Sequence, residues 1–530
     1  MRWFWRTPTL FLTAFFCCCP TVPVSAQQNS EVRDRKILQI QQMIENHDLE
    51  HAQRLLMDAA GQFPSDAGFD NLRGVVEAQQ GNYTEAEASF ERAVARSPRF
   101  TAAYLNLGRL YQENSAADPK ASQKALDIYK DVLAYDPGNS EANYQIATLL
   151  LKQGQYKESL IHLLSLPPET QVGGQASSVL CADYAGLGDR EHTDGVVNRM
   201  LTSGDFSEQD VQQALPGLLA GKRNDLVISF LQNLQKRQPL SPEGLRALGL
   251  AYERTNKLAD ARRTLEDSAT RKLSVAALLE VARVAHEQKD FKGSLGYLAH
   301  ARDLDPGSAR LHYYFGLVCL DLDLVAEARN SLEKAVKLEP ENPSYNYAMG
   351  IASSFRQDPE EAVPFFEKYV RLKPNDPRGK LAIGIVLWRA KNYDDAIPWL
   401  RKAVNSSETA GSAHYYLGAI AFHERRFDEA RNELELALKA QPDYADALAQ
   451  LGQYYLEHKD YKEAERQIRR ALQVDPNHYS ANFYLLTLYT RTGDPRREAQ
   501  GKRFEELKNL LDEKKQELLR VVEVRPFETP

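Results

Sequence analysis

The chain has 530 residues, of which 43% are hydrophobic and 26% charged, as is typical of folded proteins. This length is more than one hydrophobic core usually organises, so it predicts two or more domains or a repeat array. The formal net charge of −7 argues against a general nucleic-acid binder, because such proteins are usually basic.

The first 26 residues predict a secretory signal peptide. Arg2 and Arg6 form a short positive region, an apolar stretch runs from Thr9 to Cys19, and Val24-Ser25-Ala26 has the small residues of a cleavage site. We therefore expect cleavage after Ala26 and export to the periplasm or the cell exterior. An uncleaved membrane anchor is the alternative, although the apolar stretch is short for a transmembrane helix.

A lipoprotein signal is disfavoured, because Cys17 follows Phe16 where a small residue would be required. No second apolar run of membrane length follows. The mature chain is therefore expected to lack a transmembrane segment, with any attachment to the envelope made through a partner.

A period of 34 residues runs through the chain. Prolines mark it at the spacing of one repeat, with Glu408 in one of the slots and a five-residue insertion near residues 115–120. The marker prolines are Pro64, Pro98, Pro137, Pro306, Pro340, Pro374, Pro442 and Pro476. Because proline cannot continue a helix, each one is expected to end a helix and start the next repeat.

Small residues keep the same period. A glycine or alanine follows each proline by ten residues, as at Gly108, Gly384 and Gly418, and another small residue follows twelve later, as at Ala396 and Ala430. Between them the apolar residues recur at i, i+3, i+4 and i+7, which is the helical period. The pattern predicts two packed helices in each repeat, with neighbouring repeats stacked to bury the faces left open.

This spacing resembles the tetratricopeptide repeat. The segments Leu451-Gly452, Tyr455, Tyr461, Ala464, Ile468, Ala471 and Pro476 carry the resemblance, as do Leu107-Gly108, Tyr111, Ala125, Tyr129 and Pro137. The resemblance implies an all-α fold, a solenoid in which helix-turn-helix repeats stack into a right-handed superhelix. It also implies a role in binding other proteins.

We count fourteen slots from about Arg33 to Asp512 and divide the chain accordingly. The expected parts are the signal peptide 1–26, an N-terminal array 33–170, degenerate repeats or a hinge at 171–241, a C-terminal array 242–512, a capping helix 496–522 and a tail 523–530. Gly173-Gly174, Pro216-Gly217 and Pro239 to Pro242 interrupt the degenerate part.

The sequence contains no recognisable catalytic, cofactor or metal motif. His286-Glu287 and His423-Glu424 come nearest to a zinc motif, but neither is followed by a second histidine at the required spacing. Cys181 and Cys319 are expected to be buried, inert thiols. We therefore interpret the chain as a non-enzymatic protein without cofactor.

In the tetratricopeptide family the first helices of successive repeats line a groove that holds partner segments. In this chain, aromatic residues occupy several of the positions that the resemblance places in the groove. The candidates are Tyr314, Tyr416, Tyr484, Trp388, Phe422, Tyr313, Tyr347 and Tyr415. Such rings bury a large area at low entropic cost.

Two alternatives remain open for this surface. The rings at the fifth position of the repeats, such as Tyr313 and Tyr347, could instead pack between neighbouring first helices. The groove could also hold a carbohydrate of exopolysaccharide or envelope machinery, since tyrosine rings stack on sugars. The leading hypothesis is a scaffold or adaptor outside the cytoplasm whose partner is another protein.

Overall fold

The computed structural model describes residues 24–114, 120–355 and 359–513, and within these ranges all regular structure is helical. The all-α solenoid is therefore confirmed. The chain divides into two compact units, Met1–Lys257 and Leu258–Pro530. Most of the signal peptide, residues 1–23, lies outside the described residues, as do the tail and the end of the capping helix.

The first unit contributes fourteen of the described helices. They are α1 (Val24–Glu45), α2 (Leu49–Gln62), α3 (Ala67–Gln80), α4 (Tyr83–Arg96), α5 (Thr101–Glu113), α6 (Ala121–Tyr135), α7 (Ser140–Lys152), α8 (Tyr156–Leu164), α9 (Pro168–Gln171), α10 (Gly174–Gly186), α11 (Arg190–Ser203), α12 (Glu208–Ala220), α13 (Asn224–Gln235) and α14 (Pro242–Arg254).

The second unit contributes fifteen. They are α15 (Leu258–Arg271), α16 (Val275–Glu287), α17 (Phe291–Leu304), α18 (Ala309–Asp321), α19 (Val325–Leu338), α20 (Pro343–Ser354), α21 (Val363–Leu372), α22 (Pro377–Arg389), α23 (Tyr393–Ala403), α24 (Ala410–His423), α25 (Phe427–Ala440), α26 (Ala445–Glu457), α27 (Tyr461–Val474), α28 (Tyr479–Thr492) and α29 (Arg497–Glu513). A 3₁₀ turn, Pro359–Ala362, precedes α21.

Apart from the short α9, the helices fall in pairs, one pair for each of the fourteen slots. In the second unit each first helix packs on its own second helix, as α24 does on α25, and each second helix packs on the next first helix. Successive first helices also contact one another, as α22, α24 and α26 do. This stacking places the side chains of successive first helices side by side.

A left-handed residue turns the chain between the two helices of a repeat. Lys391, Arg425 and Lys459 have φ of 61°, 62° and 60° and follow one another at the repeat spacing. This conformation ends the first helix in one residue and lets the second begin immediately.

The small residues of the repeat make room for a large side chain of the second helix. A Cβ atom on Gly74 would lie 2.6 Å from the Phe90 ring, and one on Gly418 would lie 3.0 Å from Leu434 Cγ. Ala430 is fully buried in the same contact. The predicted close packing at these positions is thus present, and larger residues would overpack it.

The degenerate segment 171–241 folds as two helix pairs with an unusual contact. The first helix α10 packs more closely on α12 than on its own partner α11. A Cβ on Gly217 would lie 1.9 Å from the Ala182 carbonyl oxygen, and one on Gly221 would lie 2.3 Å from that of Ala185. Glycine is therefore what permits the backbones to meet.

One expected interruption is absent, because α12 continues through Pro216. Pro216 is exposed on that helix, so its ring projects toward solvent. The hinge at 171–241 stays a prediction. The boundary between the two compact units falls at Lys257, between the two helices of the slot 242–274.

Candidate partner-binding surface

The eight predicted aromatic residues lie on first helices of the second unit, and we call them the aromatic row. Tyr313 and Tyr314 are on α18, Tyr347 is on α20, Trp388 is on α22, Tyr415, Tyr416 and Phe422 are on α24, and Tyr484 is on α28. Because neighbouring first helices are in contact, rings from different repeats meet.

The central cluster forms around Tyr416. Its ring centroid lies 4.8 Å from that of Trp388 and 5.0 Å from that of Tyr415, both in edge-to-face arrangements. Tyr415 in turn lies 5.1 Å from Tyr444. These are favourable aromatic geometries, and they link α22, α24 and the residue preceding α26.

A second cluster surrounds Tyr313 and Tyr314. The Tyr313 ring lies 4.9 Å from Tyr345 and 5.4 Å from Tyr314. The Arg310 guanidinium sits 5.4 Å from the Tyr314 ring centroid and donates from Nε to the Tyr314 hydroxyl at 3.3 Å. Burial raises the pKa of Tyr345 to about 12, so Tyr345 is uncharged at neutral pH.

Tyr347 contacts both another aromatic ring and the cation of an ion pair. Its centroid lies 4.8 Å from Tyr369 and 5.8 Å from the Arg378 guanidinium. Arg378 and Tyr369 both donate to Asp376, at 2.5 Å and 2.6 Å. Burial alone would raise the pKa of Asp376, but these hydrogen bonds hold it below its usual value. The ion pair of Asp376 with Arg378 therefore stays charged at neutral pH.

The members of the aromatic row differ in the exposed fraction of their side chains. Tyr314 and Tyr416 are only 6% and 7% exposed, so they belong to the core of the stack. Both occupy the sixth position of their repeats, which the resemblance places in the groove, yet little of either ring is left for a ligand. Tyr314 is covered by Tyr313, and Tyr416 is covered by Trp388.

The other six members are partly exposed. They are Tyr313, Tyr347, Trp388, Tyr415, Phe422 and Tyr484. Tyr484 donates its hydroxyl proton to Gln453 at 2.7 Å, and it lies 5.7 Å from Phe483, which is 46% exposed. These rings offer both apolar area and polar tips to a ligand.

Cations accompany the rings. Arg283 on α16 and Arg389 on α22 are half-buried, and desolvation lowers the pKa of each guanidinium from its ordinary value. The opposing contributions come from Glu287, which pairs with Arg283, and from Tyr314 for Arg283, and from Tyr416 for Arg389. Cations at desolvated aromatic surfaces bind carboxylates and carbonyl groups of a ligand strongly.

Three rings of these clusters were not predicted from the sequence. Tyr345, Tyr369 and Tyr444 complete the ring clusters, yet they lie outside the groove positions that the family resemblance supplies. Their spacing gives a usable signal, because Tyr345 and Tyr444 each follow the ring that they contact, Tyr313 and Tyr415, by about one repeat.

Cys181 and Cys319 are buried free thiols, as expected. Burial raises the pKa of Cys181 and of Cys319 to about 12, so neither is ionised or reactive at neutral pH. Within residues 24–114, 120–355 and 359–513, no three His, Cys, Asp or Glu side chains are grouped as metal ligands. In the same ranges no helix has the length and apolar character to cross a bilayer.

Family models described as tetratricopeptide repeat match most of the chain. One matches residues 44–99, 76–118, 246–309, 316–377, 347–411 and 381–447, and the other matches 116–180 and 421–489. The matches stop at residue 180 and resume at residue 246, so the two slots that the sequence analysis judged degenerate are largely left out.

The chain is also similar to proteins in other organisms. It is 26% identical over 328 residues to the cellulose synthase operon protein C of Xanthomonas axonopodis pv. citri. That alignment covers 56% of this chain and 20% of the relative, so the chain matches only a fifth of the relative's length.

Several solved structures are also similar to this chain, including one from Parabacteroides merdae and one from yeast. A tetratricopeptide repeat protein from Parabacteroides merdae is 15% identical, with a TM-score of 0.41 over 47% of this chain and 98% of that one. Yeast Tom70 is 14% identical, with a TM-score of 0.38 over 90% of this chain and 100% of that one. The family matches cover more than half of the residues, and the chain belongs to the tetratricopeptide-repeat family.

Proposed function

We propose that this protein is a non-enzymatic scaffold that binds an extended or helical segment of a partner protein. The binding surface is the exposed part of the aromatic row, on the first helices α18 to α28. The observation that carries the proposal is that six partly exposed aromatic side chains occupy these helices. Arg378 lies beside one of them, Tyr347, while Arg283, Arg310 and Arg389 lie beside the buried rings of Tyr314 and Tyr416.

This combination suits a peptide ligand. Aromatic and arginine side chains dominate the binding energy of protein interfaces, because they bury a large area and lose little entropy. Tyrosine hydroxyls and guanidinium groups can satisfy backbone carbonyls or carboxylates of the segment. The ring clusters are already held by contacts within the protein, so binding requires little reordering.

We also propose that the mature protein acts outside the cytoplasm, in the periplasm or beyond the cell surface. The support is the positive, apolar and small-residue order of residues 1–26. N-terminal sequencing of protein purified from its native cells should then begin at Gln27. A cytosolic protein that begins at Met1 would exclude this location.

A carbohydrate ligand is the second candidate. It is favoured by the similarity to a protein named as part of a cellulose synthase operon, together with exposed tyrosine and tryptophan rings that can stack on sugars. Binding of the purified protein to a glycan array, at an affinity that falls when Trp388 is changed to alanine, would favour this candidate over a peptide ligand.

Truncation of exposed rings tests the leading assignment. Changing Trp388, Phe422 and Tyr484 to alanine removes apolar area from three first helices while Tyr314 and Tyr416 continue to fill the core. A folded variant that no longer captures its partner supports the surface, and a folded variant with unchanged capture overturns it.

A further inference from the structure

A carboxyl group replaces an apolar side chain in the core of the first unit. Asp183 on α10 is 0% exposed and lies 24 residues after Ser159, the small residue of the preceding second helix. In six other repeats the residue at this separation is apolar and buried: Val76, Leu110, Leu149, Val318, Val386 and Ile420. A carboxyl in such a place is costly when charged, because nothing replaces its hydration.

The hydrogen bonds around Asp183 depend on one proton. Ser159 Oγ lies 2.6 Å from Asp183 Oδ2 and 2.9 Å from the carbonyl oxygen of Ala147 on α7. In another repeat, Ser294 at the same position donates to the Ala282 carbonyl at 2.8 Å. A hydroxyl has a single proton, so Ser159 cannot donate to both acceptors.

Protonated Asp183 satisfies this arrangement. It donates to Ser159, and Ser159 donates to Ala147 as its counterpart Ser294 does to Ala282. When Asp183 is ionised, Ser159 has to turn its proton toward the carboxylate. The second oxygen, Oδ1, is buried with no hydrogen-bond partner among the described residues, so the ionised form leaves a charged, unpaired acceptor in the core.

No charge on the surrounding helices compensates the carboxylate. On α8, His162 hydrogen-bonds Asn143, and Lys157 and Glu158 are exposed.

On the other packed helices the ionisable groups are also engaged elsewhere or exposed. Glu169 on α9 and Arg190, Glu191 and Arg199 on α11 are exposed, and His192 on α11 pairs with Asp189. On α12, Asp210 accepts from Ser207, and Arg223, which follows that helix, pairs with Asp194 of α11 and with Asp225. On α7, Lys152 is exposed, while Glu141 accepts from Gln145. On α10 itself, burial raises the pKa of Tyr184, with smaller contributions from Asp189 and Asp183.

We propose that Asp183 is a proton-dependent switch in the first unit: the bound proton holds α8 and α10 against α7, and its release loosens this junction. Helix α10 also makes the glycine-mediated contact with α12. A loosened junction is therefore expected to weaken the packing of the degenerate repeats as well. The proposal does not depend on the binding function of the second unit.

The direction of the pH effect follows from the direction in which folding shifts the pKa of Asp183. Burial raises the pKa of Asp183 from 3.8 to about 7, while the hydrogen bond from Ser159 opposes the rise. A group whose pKa is raised on folding stabilises the fold fully below its unfolded value. That stabilisation is lost as the pH rises through the folded value, so the junction weakens between about pH 4 and pH 7.

The test compares the full-length wild type with Asp183→Asn. Asparagine keeps the shape of the protonated acid and can donate to Ser159, but it does not titrate. Between about pH 5 and pH 8, the unfolding midpoint of Asp183→Asn should rise relative to wild type by about 5 °C or more. Asp205→Asn removes an exposed carboxylate of the same unit and should follow the wild type at every pH.

Hydrogen exchange gives a local readout of the same variants. After correction for intrinsic exchange rates, wild-type amides of α8 and α10 should lose protection as the pH rises, and those of Asp183→Asn should not. If Asp183→Asn does not fold, Asp183→Leu, which restores the apolar residue of other repeats, takes its place. Parallel pH profiles for the wild type and the folded variant, by either readout, would overturn the switch.

Discussion

At the scale of single residues, the aromatic rings on first helices are of two kinds. Tyr416 is enclosed by Trp388, Tyr415 and the repeat core, and burial raises its pKa well above the ordinary value for tyrosine. Phe483 on α28 lies near Phe504 of α29 but keeps nearly half of its surface in solvent. Rings of the first kind hold the stack, and accessible rings are left for a ligand.

Alanine substitutions should separate these two kinds. Tyr416→Ala removes a buried ring and leaves a cavity, so it should lower the free energy of unfolding by about 3 kcal/mol or more. Phe483→Ala should cost less than about 1 kcal/mol, because the ring is already exposed. Chemical denaturation of the two variants checks this, and equal losses would mean that exposure does not distinguish their roles.

The sequence was sufficient to place these rings on first helices, but it did not reveal which were buried. The repeat period is a local property, and it assigns Tyr314 and Tyr484 the same position. Their burial depends on the side chains around each ring: Tyr314 lies against Tyr313 and Arg310 of its own helix, while Tyr484 has Phe483 beside it and donates to Gln453 of α26. Those neighbours differ from repeat to repeat, so a shared pattern does not predict them.

At the scale of helices, the contact of α10 with α12 departs from the other repeats. The sequence suggested an interruption at Pro216-Gly217, whereas the helix continues and Gly217 serves as a contact point for the Ala182 backbone. A glycine in the middle of a helix normally lowers its stability, so its presence here is explained by close packing.

Two glycine-to-alanine variants test this explanation within one unit. Gly217→Ala forces its methyl group into the Ala182 carbonyl and should destabilise the first unit by about 1–3 kcal/mol. Gly195→Ala, on the exposed face of α11 with no atom within 4 Å of its Cβ, should stabilise by about 0.5–1 kcal/mol. Thermal unfolding measures both, and a neutral Gly217→Ala would show that α10 and α12 are further apart than described.

At the scale of the whole molecule, the period alone predicted the fold. Each of the fourteen predicted slots contains one pair of helices, because the proline, small-residue and apolar patterns recur within each repeat. The division between Lys257 and Leu258 was not predicted, since it falls inside a slot with regular spacing. The role proposed for protonated Asp183 was also not predicted, although the sequence shows a carboxyl group at a position that is apolar in other repeats.

The most direct test of the account compares partner capture by two matched sets of variants of the mature chain. One set changes Trp388, Phe422 and Tyr484 on first helices to alanine, and the other changes the exposed Leu338, Leu436 and Val474 on second helices. Both should remain helical, as circular dichroism melting will verify. Quantitative mass spectrometry of proteins captured from envelope extract should show partners lost only with the first set. Equal capture by both sets, or loss only with the second, would contradict a partner site on the aromatic row.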